Sequence, residues 1–508
     1  MTNSLVDRRD ESGVGIVAAV LDNTASEKVE QAGATVASVT SPSAPATAAT
    51  GSRGSSATSG VAEPAADPLC PVAGAGLPVP LVTGGTLPYA NLDYAASAPA
   101  AAAVVEHIAT ALPFYASVHR GAGYASQVST ALLENSRACV GRFVGAREDD
   151  VTVFVRNTTD ALNLLAGVVP ANGHVLYLDV EHHANLIPWQ RRGDVVLEAA
   201  PTIAETLDDL DAALAATPTA LVAVTGASNV TGELLPVAEI ARIAHRHGAR
   251  LAVDAAQLAP HRRISLAETG IDYLAFSGHK LYAPYGAGAL VGRRDWLDAA
   301  PAYLAGGGAV REVTTEATEW AAAPARHEAG TPNVLGAAAL AKACETLASL
   351  GADLARHEEA LRHRLTDGLA KLDAAVGGSA VDVLRIWPDS TGAIGVVAFT
   401  VAGFDAGLVA AYLSAEHGIG VRDGRFCAHP LLARLGLGRD GAVRASFGLG
   451  STMADVDRLL DALAQLIADG PQWEYELVEG RYQPVDDPRP LPDFAGAAAS
   501  ASSPCQEG

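Results

Sequence analysis

Apolar residues in the middle of this chain recur with two spacings. Residues 151–155, 175–178, 220–224 and 251–253 are short apolar runs, and Ala/Leu-rich stretches with helical spacing, such as 235–247, separate them. A run that is apolar at nearly every position predicts a strand covered on both faces. Its alternation with helices predicts an α/β fold, a mostly parallel sheet between two helical layers. This large unit is expected over residues 87–334, and a smaller α+β unit over 335–470. The second unit opens with a helical stretch to about residue 372, continues with strands at 381–386 and 394–401, and adds a helix near 406–417.

Outside these units the pattern fails. Residues 32–86 are dense in Ala, Ser, Thr, Pro and Gly, so an N-terminal extension over 1–86 is expected not to fold. A largely irregular tail is expected over 471–508. The apolar patch at 14–21 has Asp10, Glu11 and Asp22 at its flanks, which lack the basic region of a signal peptide.

In a doubly covered parallel sheet the ligand crevice opens at the carboxyl ends of the strands. The polar residues gather at those ends. Ile271-Asp272-Tyr273-Leu274-Ala275-Phe276 runs into Ser277-Gly278-His279-Lys280. A partly desolvated lysine can lose its proton and form an imine with an aldehyde cofactor, and pyridoxal phosphate is the candidate. The run 251–253 ends in Asp254, with Gln257 three residues on. An electron-sink pyridine needs a carboxylate at its nitrogen, which Asp254 suits, and Gln257 suits the ring oxygen. Arg156-Asn157-Thr158-Thr159 follows the run 151–155 at a helix start, where free N–H groups, hydroxyls and the helix dipole favour an anion. Glu181-His182-His183-Ala184-Asn185 follows 175–178, and its imidazole suits stacking on a planar ring.

Each residue also has an ordinary role open to it. Thr158 and Thr159 suit a helix cap, His119-Arg120 a solvated turn, and Asp254 a cap or turn. His182-His183 lacks any His-Glu-x-x-His or CxxC spacing beside it, so no metal is expected.

Taken in order, the motifs resemble a known family. Asn91-Leu92-Asp93, Val118-His119-Arg120-Gly121, Asn157-Thr158-Thr159, Glu181-His182-His183, Ser228-Asn229-Val230-Thr231-Gly232, Asp254-Ala255-Ala256-Gln257, Ser277-Gly278-His279-Lys280, Glu328-Ala329-Gly330-Thr331 and Arg422-Asp423-Gly424-Arg425-Phe426-Cys427 lead to Arg444-Ala445-Ser446. From about residue 91 to 466 the chain resembles the class V, fold-type I pyridoxal-phosphate enzymes, and most closely the SUF-type cysteine desulfurases.

The resemblance implies a mostly parallel seven-stranded sheet. It implies that Lys280 holds the cofactor and shuttles the substrate's α-proton, that Asp254 faces the ring nitrogen and Gln257 the ring oxygen, and that His182 stacks on the ring. Thr159, Ser277 and His279 would hold the phosphate, with Thr158 nearby and Thr331 reaching in from the second subunit of a homodimer. Arg444 would clamp the substrate carboxylate with its planar fork. Asn229 would lie beside it, and His119 and Arg422 would line the entrance. The substrate would be L-cysteine and the nucleophile Cys427, which takes the sulfur as a persulfide, leaves L-alanine, and passes the sulfur to an acceptor protein.

From its neighbours alone, Cys427 has Arg422, Arg425 and His429 close in sequence as possible cationic activators, and Pro430 marks its segment as a loop. The chain departs from the familiar SUF-type pattern in having Arg425-Phe426 before the cysteine and His429 after Ala428. It also carries an insertion at 435–441 of no evident purpose.

Other functions remain in view. Another class V enzyme, an aminotransferase, racemase or C–S/C–Se lyase, would share the cofactor groups and leave Cys427 incidental. A scaffold that docks a partner would need none of them. Nucleotide binding is set aside because Gly286-Ala287-Gly288 misses GxGxxG by one residue and precedes a strand.

Composition narrows the setting. With 49% hydrophobic and 18% charged residues there is ample material for a core. A net charge of −22 disfavours nucleic acid, and no run reaches the roughly 18 apolar residues of a membrane span. Cys139 and Cys344 lie in helical patterns as small core residues, while Cys70 and Cys505 fall in the tails. Five scattered cysteines without a paired framework point to a reducing, cytoplasmic compartment.

Overall fold

The apolar runs become one sheet. In the computed structural model, which describes residues 68–495, seven strands lie in the spatial order Asp150–Val155, Gly288–Arg293, Tyr273–Ser277, Arg250–Asp254, Thr219–Thr225, His174–Leu178 and Val195–Leu197. Every pairing is parallel except the two made by Gly288–Arg293. Successive side chains point to opposite faces. Leu176, Val222, Val224, Leu251, Val253, Leu274 and Phe276 join one buried cluster. Val175, Leu221, Ala223, Ala252, Tyr273 and Ala275 join another. Burial on both faces explains why the runs are continuous rather than alternating.

The antiparallel strand depends on its first glycine. A Cβ on Gly288 would lie 2.7 Å from the Phe276 carbonyl oxygen and 2.9 Å from the Asn157 Cα. This glycine lets two backbones approach closely, at the point where the strand Asp150–Val155 turns into its helix.

The helical stretch expected over 335–372 is two helices, Val334–Leu350 and Ala352–Ala375, bent by 80°. Gly351 makes the break with φ +53. Asn333 opens the first helix, accepting from the Gly336 amide at 2.9 Å and donating to the Tyr285 carbonyl at 2.7 Å. Ala338, Leu340, Ala343 and Cys344 of that helix sit in the same cluster as one sheet face. The helix expected to open the small unit therefore belongs to the large core. Its small side chains let it lie close, and apolar spacing alone does not say which core a helix joins.

The small unit is an antiparallel sheet in the order Val381–Val383, Val396–Val401, Ala442–Ser446, Arg422–Gly424. Leu361 and Leu365, Val409 and Leu413, and Leu459 and Leu463 back it from three helices. The first strand stops short of the expected residue 386. Beyond it, the amides of Ile386 and Trp387 donate to the buried carboxylate of Glu233, at 2.7 and 3.1 Å.

Both expected tails fold in part. Residues 1–67 and 496–508 lie outside the described residues. Within 68–86, however, Val72 is buried, the Cys70 amide donates to Leu449, and Pro78–Pro80 pairs with Thr86–Pro88. Within 471–508, Tyr475–Val478 and Arg481–Pro484 form a hairpin. Composition missed both because their order comes from distant partners. Among the described residues no single helix is long and apolar enough to cross a membrane.

Gly288→Ala is expected to lower the unfolding free energy by about 1–3 kcal/mol through overpacking. Gly167→Ala, whose Cβ would meet nothing within 4 Å, should be neutral or stabilising. Urea midpoints of the two variants check this, and equal midpoints would contradict the close approach.

Candidate active site

Because the strands Asp150–Val155, His174–Leu178, Thr219–Thr225, Arg250–Asp254 and Tyr273–Ser277 run the same way, their carboxyl ends share one edge of the sheet. A cavity of about 340 Å³ opens there. Of the residues singled out in the sequence, Thr158, Thr159, His182, Asn229, Asp254, Gln257, Ser277, His279, Lys280, Arg422, Cys427 and Arg444 line it. Two do not. His119 is exposed, with φ +65, and pairs with Glu134 at 3.0 Å. Thr331 is exposed in the turn before the helix Val334–Leu350.

Lys280 and Asp254 form the charged floor. Burial pushes the Lys280 ammonium down to about 8; Arg444 adds to the shift, and Asp254, Cys427 and Asp93 oppose it. Burial likewise raises the Asp254 carboxyl, against the Ala256 amide at 2.9 Å and the charge of Lys280. Each group is disfavoured as an isolated ion and favoured by the other.

His182 stays neutral. Burial, then Lys280, His183 and Arg444, push its imidazole down to about 3. Its Nδ1 accepts from the Ala184 amide at 3.0 Å, so in the neutral ring the proton sits on Nε2. The preceding Glu181 fixes the loop. Its carboxyl accepts from Asn185 Nδ2 at 2.7 Å and the Thr225 amide at 3.0 Å, and burial pushes it up to about 8.

At the helix Thr158–Val168 the Asn157 side chain caps by accepting from the Asp160 amide at 2.9 Å. Thr158 donates its amide to Ser277 Oγ at 2.7 Å, and the two hydroxyls are also 2.7 Å apart. Helix start, two threonines, Ser277 and His279 converge on one side of the cavity, a set of donors suited to an anion. Burial pushes His279 down to about 4.

Arg444, which also lines the cavity, is central in the small sheet and directly across from Arg422. It is buried, donates to the Asn229 carbonyl at 2.9 Å and to Asp93 Oδ1 at 3.0 Å, and has the Phe426 ring 5.1 Å from its guanidinium carbon. Its Nε and the Oε1 of Gln257 are buried without hydrogen-bond partners. Gln257 Nε2 holds the Ala95 carbonyl at 2.8 Å.

Cys427 sits on a strained turn. Phe426 and Cys427 both have positive φ, +53 and +52, which non-glycine residues rarely adopt. Asn229 Nδ2 holds the Phe426 carbonyl at 2.8 Å and the His183 amide holds the Cys427 carbonyl at 2.8 Å. The turn was expected, but Pro430 lies in the first turn of a short helix, His429–Arg434, instead of preventing one. The expected cationic role of His429 also changes, since burial pushes its imidazole below the usual range. Asp93, His183 and Phe426 were not among the expected site residues. Asp93 ends an apolar segment, a signal that could have found it; the other two act through backbone or ring position, which carries no sequence signature.

Comparison with known proteins follows the same outline. The family model Aminotransferase class-V matches residues 90–459. A cysteine desulfurase of Dickeya dadantii is 37% identical over 396 residues, covering 75% of this chain and 92% of the relative. One from Escherichia coli O127:H6 is 36% identical over 406 residues, covering 75% and 94%. Among solved structures, the apo cysteine desulfurase of Thermococcus onnurineus NA1 superposes with a TM-score of 0.68 at 34% identity, over 75% of this chain and 94% of that one. The cysteine desulfurase CsdA of Escherichia coli, in an S-sulfonic acid form, gives 0.64 at 34%, over 74% and 94%.

The depressed Lys280 value has a direct readout. In cofactor-free protein, labelling of Lys280 by an aromatic aldehyde and borohydride should accelerate as pH rises through about 8 and level off about one unit above it. Peptide mapping across pH checks this, and a rate still climbing near the ordinary lysine value would contradict it.

Proposed function

We propose, from the premise that the chain belongs to the class-V aminotransferase family, that it is a cysteine desulfurase in which Lys280 holds pyridoxal phosphate and Cys427 takes sulfur from L-cysteine. The observation that carries this reading is a cysteine on a strained turn lining the same cavity as a half-buried lysine whose ammonium desolvation pushes down.

The residues fit the cofactor. Two orphaned polar atoms, on Gln257 and Arg444, are buried at a cavity whose one side is an anion cradle and whose floor carries Asp254. When bound, pyridoxal phosphate supplies an electron sink for the substrate's α-carbon and so weakens the bond to its sulfur.

The chain's own groups do the rest. Thr158, Thr159, Ser277 and His279 bind the phosphate. Asp254 keeps the ring nitrogen protonated, and its burial makes that charge pairing strong. Gln257 retains a second amide hydrogen beyond the one given to Ala95, available to the ring oxygen. His182, held neutral by burial, would stack on the ring without adding a competing cation. Arg444 binds the substrate carboxylate, with Asn229 on its other side holding the cysteine turn. Lys280, whose ammonium burial pushes down to about 8, would take and return the substrate's α-proton more readily at neutral pH than an ordinary lysine.

Cys427 attacks the substrate sulfur as thiolate, and Arg422 supplies cationic charge at the same cavity wall. The products are a persulfide on Cys427 and L-alanine. The sulfur then leaves for an acceptor thiol, as Fe–S cluster assembly requires. Thr331, which is exposed, would reach the phosphate of the neighbouring subunit in a homodimer, and His119 would lie at that shared entrance.

Cys427→Ser should retain cofactor absorbance and lose persulfide and alanine formation by at least about 10²-fold. Mass spectrometry of Cys427 and alanine assay check it, and equal activity would make this a different class V enzyme. Thr331→Ala should weaken cofactor retention by about tenfold, one lost charge-assisted hydrogen bond, with an unchanged urea midpoint. Dialysis with absorbance reads this, and unchanged retention would remove the shared site.

A further inference from the structure

Arg444 is buried, at 4% exposure, and two elements from outside its own sheet hold its guanidinium. Nη1 donates to the Asn229 carbonyl at 2.9 Å and Nη2 to Asp93 Oδ1 at 3.0 Å. The guanidinium carbon lies over the Phe426 ring, 5.1 Å from its centroid. Hydrogen bonds at two nitrogens and a ring against one face fix the plane of the group. Its Nε is buried without a hydrogen-bond partner, in a side chain that lines the catalytic cavity. A buried donor with no protein acceptor is unfavourable, and it points to a ligand acceptor at that edge.

Asp93 is carried by a short segment pinned on both sides. Before it, the Leu92 amide donates to the Gly420 carbonyl at 2.8 Å, and the Leu92 carbonyl accepts from the Ser446 amide at 2.7 Å. After it, the Ala95 amide donates to Ser446 Oγ at 2.9 Å and the Ala98 amide to the His279 carbonyl at 2.8 Å. Gln257 Nε2 holds the Ala95 carbonyl at 2.8 Å. The segment is thus stitched to the end of the strand Ala442–Ser446 that carries Arg444, and to two residues on the cofactor side of the cavity. A carboxylate on such a backbone cannot follow a guanidinium that moves, so the guanidinium comes to it.

Charge balance alone does not require this arrangement. A buried arginine is compensated by a carboxylate at any of its edges. A carboxylate fixed at Nη2 also decides which edge remains for a ligand. Arginine is rich in rotamers, and holding it beforehand spares the ligand the loss of that freedom. Asp93 itself is not among the residues that line the cavity, so its effect on a ligand passes through Arg444.

We propose that Asp93 is a positioning residue for substrate binding, which fixes the guanidinium of Arg444 so that its Nε edge meets the α-carboxylate of the amino acid. The inference rests on the amino-acid substrate of the desulfurase reading and deepens it by naming the group that aims the carboxylate grip.

The test compares S-methyl-L-cysteine with 2-(methylthio)ethylamine, the same ligand without its carboxylate. Calorimetry on the full chain, with and without pyridoxal phosphate, gives the ratio of the two affinities. Two variants separate place from charge. Asp93→Asn keeps an acceptor where it was and removes the charge, whereas Asp93→Glu keeps the charge and displaces it by a methylene. Asp93→Asn should hold the native ratio or exceed it, since a competing carboxylate is gone. Asp93→Glu should lower the ratio by about tenfold, the loss of one charge-assisted contact. For L-cysteine turnover, Asp93→Glu should raise KM by a similar factor and change kcat much less.

A role confined to folding would weaken both ligands alike and leave the ratio where it was. An unchanged ratio in Asp93→Glu, or a loss in Asp93→Asn as large as that in Asp93→Glu, would overturn the proposal. Should Asp93→Glu not fold, Asp93→Ser, which withdraws the acceptor without adding bulk, should show the same loss, and a native ratio there overturns the proposal equally. If L-cysteine yields neither persulfide nor alanine while the ratios behave as expected, the desulfurase reading falls and the positioned carboxylate grip stands.

Discussion

The structure turns on charges buried at the carboxyl edge of the central sheet. Asp254 and Arg444 are buried and Lys280 is half-buried beside them, and an isolated ion in such a place is unfavourable by several kcal/mol. Each is tolerable because an opposing group comes from a different element. Asp254 ends one strand and Lys280 follows the next, while Arg444 lies in the small sheet and meets Asp93 from the chain's N-terminal segment. The small unit cannot move away from the large one without stranding Arg444. The requirement that shapes the site therefore also holds the two units in register.

Buried carboxylates solve a related problem. Loops at strand ends leave backbone amides without partners, and this chain repeatedly sends a glutamate from elsewhere to accept them. Glu181 takes the Thr225 amide, Glu233 those of Ile386 and Trp387, Glu328 that of Phe154, and Glu416 those of Gln472 and Trp473. Each contact joins segments far apart in sequence. Two of them have direct functional weight: Glu181 steadies the loop that carries His182, and Glu416 seats the hairpin beside Cys427.

Cys427 stands where these devices meet. Its turn is held in an unfavourable backbone conformation by Asn229 from the large unit and by the amide of His183. Strain of this kind persists only where the surroundings over-determine it. The result is a cysteine that lines both the catalytic cavity and a neighbouring open cleft. The insertion at 435–441, unreadable as sequence, becomes part of the wall of that cleft.

The sequence alone was enough for the sheet, because strands buried on both faces must be apolar throughout and those runs stand out from helical spacing. It was also enough to bring Lys280, Asp254 and Thr158 to one cavity, since residues that follow parallel strands are delivered to one edge by the chain direction itself; Cys427, which follows an antiparallel strand of the small sheet, was singled out by its neighbours and by the resemblance. Tertiary structure decided what depends on partners remote in sequence. It assigned the alanine-rich helix Val334–Leu350 to the large core, ordered the segments at 68–86 and 475–484, brought Asp93 to Arg444, and kept His119 out of the cavity. Local pattern records which face of a segment is apolar or which end is polar. It does not record which distant surface will bury that face, or which distant carboxylate will answer a charge.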